Sequence, residues 1–516
     1  YATGGAPEVF GHVLGVILLG IAFGSLLGRR LTQTALPLIA TMAGLLLAAA
    51  VVYYASVPLI ALFREKNYNQ NAASMPNGIL VAYALVALVA FLQGGILTIL
   101  CHVGIDQDKD AGAAVAWVYV ANIVGATAGP LLTGFVLLEL FGVLRNIVLL
   151  SLLAGLLGGA VMQASALSGK TKVGTWALVG LFAFGCWSTE AAVGDRLLEK
   201  LQGWKGDSYK FVIENRSGIV AVEAEPAGDD TVYGGGLYDG RFNIDPNNNN
   251  NRIDRGYFIA ALHKAPTDML EIGLSTGSWA RVITDYEPVK TLTIVEINRG
   301  YIDAISRYPT HKPLLTDPKV TLAFDDGRRW LVRNPDRKFD FILMNTTFHW
   351  RSQITNLVSD EFLQLAKRHL KPGGVIYYNT TNAAAIPYTA AMVFKHVTTY
   401  GNFVAASDSP FDVDMATREA NIGKFIRDAK PVFDSDNGVT MKRWMMNAQL
   451  TDLGEHYRSQ NTPELHIHDD NMVTEYKINE RKPKGIRALW AGKNPAYRRD
   501  RTWWHTLARL SRPAAR

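Results

Sequence analysis

Six stretches of the chain, residues 9–28, 36–62, 79–100, 113–140, 143–163 and 173–190, are almost wholly apolar. Each runs near the twenty or so residues that carry a helix across a bilayer. From about residue 195 the pattern changes to short apolar runs separated by polar and glycine-rich breaks. MLEIG (269–273), TLTIVEIN (291–298) and FDFILMN (339–345) are short and bounded by turn residues, which predicts buried strands. The pattern therefore predicts a polytopic α-helical membrane domain over residues 1–193, followed by an α/β region.

Composition agrees with that division. The 516 residues are 48% hydrophobic, mean hydropathy is +0.06, and the net charge is +6. Gly44, Gly94, Gly95, Gly125, Gly129, Gly155, Gly158 and Gly159 sit in the apolar half, where small residues let helices approach closely. Within the spans, Asn122 is expected to bond across a helix interface and Glu139 to sit at the membrane surface. The two cysteines, Cys101 and Cys186, argue against a disulfide framework or a zinc site. Tyr1 is not an initiator methionine, so an upstream piece is expected. The first apolar run lacks the positive flank of a signal peptide.

Alternating the connections sets Arg29, Arg30, Lys109, Lys170 and Lys172 against Arg64, Lys66 and Arg145. The acidic residues of the third connection are Asp106, Asp108 and Asp110. With the richer side cytoplasmic, the region after residue 195 emerges on the non-cytoplasmic face. The span at 173–190 is the shortest, and without it the sidedness reverses. The tail at 477–516 interleaves Lys482, Lys484, Arg487, Lys493, Arg498, Arg499 and Arg501 with Trp490, Trp503 and Trp504. That pattern predicts docking at a membrane surface, with no nucleic-acid partner.

The candidate chemistry lies between residues 269 and 345. A predicted strand opens into GLSTG, whose Gly273 and Gly277 let the backbone approach a ligand. The next strand ends in Glu296, about twenty residues on, where a carboxylate takes ribose hydroxyls. A third element ends in Asp325 and Asp326 and a fourth in Asn345. This order predicts a nucleoside pocket, and it fits S-adenosylmethionine-type and dinucleotide enzymes alike.

The runs LLGIAFGSLLGRRL and AWVYVANIVGATAGPLLTGFVLLELFG resemble the multispanning module of bacterial membrane-bound spermidine synthase-like proteins. GGLYDGRFN, GLSTG, VEIN, FDDGRRWL, FDFILMN, LKPGGVIYYN and HDDNMVTEY follow in the order of a spermidine synthase domain, similar to class I methyltransferases. The resemblance implies a small β domain at 208–256, a Rossmann-like domain at 257–476, and a place in the bacterial inner membrane. It also implies aminopropyl transfer from decarboxylated S-adenosylmethionine. By that resemblance Gly273, Ser275 and Gly277 shape the cofactor loop, Glu296 holds the ribose and Asp326 the adenine. Asp239, Asn243 and Tyr257 complete the ligand site.

Several positions depart from the family pattern. Asn345 stands where the family has its catalytic aspartate, followed by Thr346, Thr347 and Phe348 rather than an acidic pair. Asn243 replaces a glutamine, Phe258 and Ile259 replace a polar pair, and Ser275 replaces a loop glycine. An asparagine neither accepts a proton near pH 7 nor attracts a diamine. The implied functions are then methyl or aminopropyl transfer from S-adenosylmethionine or its decarboxylated form, or a domain without chemistry that binds membrane-complex subunits or a second copy. A transporter is the third class. The Asn-rich segment 245–254 is read as a solvated loop rather than a calcium site. His466 and His468 are read as structural rather than metal-binding.

Overall fold

In the computed structural model, the described residues are 7–68, 75–105, 111–201, 209–226, 228–345 and 347–476. The basic tail, Tyr1, Thr346 and the connection carrying Lys109, Asp106, Asp108 and Asp110 lie outside them, as do the side chains of Arg64 and Lys66.

The apolar half forms helices α1 (Glu8–Thr32), α2 (Leu38–Tyr68), α3 (Met75–Gly104), α4 (Ala111–Leu132), α5 (Leu138–Gln163) and α6 (Gly169–Leu201). Among the described residues, four stretches are long and apolar enough to cross a membrane: Val9–Thr32, Leu38–Phe63, Leu80–Gly104 and Gly112–Gln163. The last unites the fourth and fifth expected spans. It is interrupted at Gly142, whose φ of 70° and ψ of −173° break the helix. The sixth expected span falls within α6, which is not among the four. Arg29 and Arg30 close α1 in its last turn, where cations meet the negative end of the helix dipole.

The α1–α3 contact rests on small residues. A Cβ on Gly24 would collide with the Phe91 carbonyl, and one on Gly28 would lie 2.9 Å from Gly95 O. Gly94 packs just as tightly on Ile21, whereas Gly44, Gly125 and Gly129 face open space. Close packing thus uses Gly94, Gly158 and Gly159 of the expected glycines, together with Gly20, Gly24 and Gly28. Gly24→Ala is expected to destabilise the helical module by about 1–3 kcal/mol through overpacking. Gly44→Ala should leave it unchanged. Thermal denaturation in detergent compares the two, and equal midpoints would refute this packing. Asn122, expected to bond between helices, is instead exposed on α4.

The break at Gly142 is also where the sheet-containing half makes contact with the helices. The Val143 N–H donates to Glu214 Oε2 at 2.7 Å, and the Arg216 N–H donates to Glu139 Oε2 at 3.1 Å. Glu214 closes a gap in the helical ladder that Gly142 opens, so the apolar helix and the first hairpin are fastened at the same point.

Strands β1 (Tyr209–Asn215), β2 (Gly218–Glu223), β3 (Thr231–Gly234) and β4 (Leu237–Arg241) form an antiparallel meander. The larger sheet comprises β5 (Asp268–Ile272), β6 (Thr291–Glu296), β7 (Val320–Phe324), β8 (Phe339–Met344), β9 (Leu370–Asn379), β10 (His396–Tyr400) and β11 (Phe403–Ser407). Its order is β10-β11-β9-β8-β5-β6-β7, with β5 to β9 mutually parallel and β11 antiparallel to both neighbours. Strands buried on both faces are apolar throughout, which is why MLEIG and FDFILM lack alternation. One core lies on each face. One gathers Tyr257, Leu274, Ile294 and Tyr377, and the other Leu270, Ile342, Phe362 and Tyr378. From β5 the chain runs outward through β6 and β7, then returns to place β8 on the other flank of β5. That reversal opens a crevice beyond the C-terminal ends of β5 and β8, the place where open α/β sheets bind ligands.

Candidate functional site

At the crevice the chain is folded tightly onto itself. The Gly273 N–H donates to Val295 O and the Asn345 N–H to Ile272 O, both at 2.9 Å, locking the loop to the flanking strands. Gly273 has φ 88°, and a Cβ there would run into the Asn345 carbonyl, so only glycine fits between β5 and β8. Ser275 takes φ 51° without being glycine. Its hydroxyl donates to Asp239 O at 2.7 Å, which ties the loop to β4 and turns the side chain onto that carbonyl. Gly277 then opens the helix Ser278–Thr284.

Three carboxylates converge on this loop. Glu296 ends β6 and accepts from Leu274 N–H at 2.7 Å and Asn298 N–H at 2.8 Å. Burial lifts its pKa to about 7, against the pull of those two donors, and the nearby Asp239 charge adds to the rise. Asp239 is raised by burial as well, although it accepts a hydrogen bond from the Tyr301 hydroxyl and feels the Arg351 charge. Glu271, in the strand just before the loop, is fully buried. Neither of its oxygens meets a hydrogen-bond partner among the described residues. Burial and the adjacent Glu296 hold its pKa well above the carboxylate range, so it is a neutral acid.

Arg351 supplies the cation. Its Nη1 donates to Thr347 Oγ1 at 3.0 Å, and its Nη2 stands 2.9 Å from where a Cβ on Gly235 would lie. The same turn brings Gly234 within 3.2 Å, again measured from a Cβ position, of Asp239 Oδ2. The guanidinium, the Asp239 carboxylate and the Tyr301 hydroxyl therefore surround the glycine turn between β3 and β4.

Of the residues singled out in the sequence, Gly273, Ser275, Gly277, Glu296, Asp239 and Asn345 meet at this edge. Asp326 stands at the end of β7, where its side chain caps the helix Gly327–Arg333 by accepting from Arg329 N–H at 2.9 Å. Asn243 does not reach the crevice. Its amide is buried in the Asn-rich loop and donates to Asp229, Asn248 O and Asn250. Asp229 Oδ2 also accepts from Asn248 and Asn250, so the loop is held by its own side chains. Tyr257 is a core residue, wedged edge-on between Phe425 and Phe433 with its hydroxyl accepting from Arg427. Phe258 stacks on Tyr400 at 3.8 Å, so apolar packing fills the place of the expected polar pair. His466 and His468 bond to Asp360 and Glu361, and Asp469 holds Arg328.

Glu271, Tyr301 and Arg351 were not anticipated. A carboxylate inside an otherwise apolar buried strand was the signal for Glu271. Arg351 follows β8 in a segment without periodicity, and Tyr301 reads as an ordinary helix residue.

Residues 257–410 match the family model described as spermine/spermidine synthase domain. The chain carries a spermidine synthase domain. It is 27% identical over 158 residues to a polyamine aminopropyltransferase of Aeropyrum pernix, covering 29% of this chain and 50% of that protein. A polyamine aminopropyltransferase 2 of Hyperthermus butylicus is 26% identical over 214 residues, covering 37% and 68%. A probable polyamine aminopropyl transferase of Bifidobacterium longum is 32% identical over 132 residues, covering 24% and 27%. The chain thus spans half the length of the first of these relatives. The crystal structure of spermidine synthase from Thermotoga maritima is 18% identical, with a TM-score of 0.36 over 45% of this chain and 84% of that one. Within the spermidine synthase domain the matched segment contains the loop, Glu271, Glu296, Asn345 and Arg351. Asp239 and the meander precede it.

Proposed function

We propose that the spermidine synthase domain binds an S-adenosyl sulfonium compound at the C-terminal edge of β5, β6 and β8 and transfers an alkyl group from it, while the apolar helices hold the domain at a membrane. The observation that carries this reading is the Glu296 carboxylate, bonded to the backbone of the ligand loop and placed at the end of the strand beside it. Each of its oxygens retains a lone pair for a ribose hydroxyl. The neighbouring Asp239 favours a cationic sulfonium once it ionises.

The transfer needs positioning above all. A lone pair on the acceptor attacks the carbon attached to the sulfonium, and the C–S bond breaks. Its electron pair returns to sulfur as a neutral thioether, and the acceptor releases one proton to solvent. Alignment alone supplies much of such a rate. Asn345 at the end of β8 orients the acceptor through its amide carbonyl and does not take the proton. The relatives, named as polyamine aminopropyltransferases, support an aminopropyl group. Asn345 supports an acceptor that needs no carboxylate base.

Isothermal calorimetry on the full chain in detergent tests the reading with 5′-methylthioadenosine, the nucleoside thioether left when the propyl arm is the group transferred. Binding is expected, with affinity at least tenfold weaker in Glu296→Gln, and absence of heat at saturating concentration in the unmutated protein would overturn it. Affinity should also depend on pH. The carboxylate accepts ribose hydroxyls best when ionised, and its pKa is about 7. Binding should therefore weaken about tenfold for each pH unit below 7 and level off above it. A flat profile from pH 5.5 to 8 would contradict the role of Glu296.

A further inference from the structure

We infer that Asp239 and Arg351 form a two-charge clamp for an α-amino-acid end, so that the sulfonium compound this site takes is one that keeps its carboxylate. The inference rests on the nucleoside-sulfonium reading above and names the class of ligand within it; in place of the aminopropyl group that the relatives' names support, it puts a methyl group or a propyl arm that still carries its carboxylate.

The chemistry of the tail decides between the two candidate ligands. S-adenosylmethionine ends in an ammonium and a carboxylate on one carbon, a zwitterion with its charges a few ångströms apart. The decarboxylated form ends in an ammonium alone. A site for the second needs only anions at that end, and a guanidinium there repels it. A site for the first needs one anion and one cation, side by side and not consumed by each other.

The glycine turn between β3 and β4 provides that arrangement. Asp239 and Arg351 are both half-buried, and the guanidinium acts on the Asp239 carboxylate through its charge without forming an ion pair with it. Arg351 has five N–H donors, and its one described side-chain hydrogen bond goes to Thr347 Oγ1. Its remaining donors form the planar fork that pairs with a carboxylate through two parallel bonds. Asp239 is oriented by the Tyr301 hydroxyl, and its backbone carbonyl is held by Ser275 of the ligand loop. The clamp is thereby anchored to the same loop whose Leu274 N–H is fixed by Glu296. Gly235 maintains the opening, because a Cβ there would press on the guanidinium. Asn345 fits the same picture, since a neutral side chain at the end of β8 leaves Asp239 and Arg351 as the charged pair that sorts the ligand's tail.

The test compares three ligands by calorimetry on the full chain in detergent: S-adenosylmethionine, its decarboxylated form and 5′-methylthioadenosine, which has neither charge. Arg351→Gln is measured beside the unmutated protein, each tail expressed relative to methylthioadenosine in the same protein. The expected result is that the unmutated protein prefers S-adenosylmethionine to the decarboxylated form by tenfold or more, and that Arg351→Gln removes the preference. Equal or reversed affinities in the unmutated protein overturn the clamp and leave nucleoside binding standing. So does a preference that survives Arg351→Gln. If none of the three ligands binds the unmutated protein, both the clamp and the proposed function fall. The comparison within the unmutated protein decides even where the variant does not fold.

Discussion

Glu296→Ala is expected to abolish nucleoside binding and to destabilise the α/β half more at pH 5 than at pH 8. Removing the carboxylate leaves the Leu274 and Asn298 N–H groups without their acceptor in a buried setting, at about 1–3 kcal/mol each. Against that stands the burden of a buried acid. The folded-state pKa of about 7 lies above the ordinary 4.5, so the folded protein binds more protons than the unfolded chain between those values. The group's contribution is fully present below 4.5 and is lost as pH rises towards 7, a change of about 3 kcal/mol. The alanine variant escapes that loss, so its deficit shrinks as pH rises. Thermal denaturation of both proteins at pH 5 and pH 8 measures this, and a deficit independent of pH would contradict the burial assigned to Glu296.

The second large effect is expected at Gly273. Substitution by alanine meets two obstacles at once: a φ of 88° that side chains rarely adopt, and the Asn345 carbonyl in the space a Cβ needs. The conformational strain alone is about 1–3 kcal/mol, and relieving the collision requires the ends of β5 and β8 to part. Because Gly273 and Asn345 are also bonded to the neighbouring strands, that movement disturbs the whole crevice. Gly273→Ala should lower the denaturation midpoint by several degrees and weaken 5′-methylthioadenosine binding at least a hundredfold. Unchanged stability and binding would show that the loop is looser than this geometry requires.

How legible these features were depends on how local their causes are. The strands at 269–272, 291–296 and 339–344 could be read because burial on both faces demands continuous apolar runs, and the loop glycines because a tight turn admits few alternatives. The break at Gly142 fell between two expected spans because the charge of Arg145 follows it closely. Asn243 and Tyr257 were assigned to the ligand by resemblance, but their partners are decided by distant chain: Asp229 for the amide, Phe425 and Phe433 for the ring. Asp239 was assigned by the same route and does reach the loop, because β4 lies against Ser275. Glu271 shows in the sequence only as a carboxylate within an apolar run, and Arg351 carries no periodic or spacing signal; the fold is what brings the first against Glu296 and the second against Asp239. The α1–α3 contact shows the same limit, since glycine content was visible but the glycines that face a neighbour were not.

The most direct measurement is an experimental structure of the full chain with 5′-methylthioadenosine. The nucleoside is expected beyond the ends of β5 and β6, against the loop 273–277, with a ribose hydroxyl about 2.5–3.0 Å from a Glu296 oxygen. A nucleoside bound elsewhere, or none at saturating concentration, would contradict it.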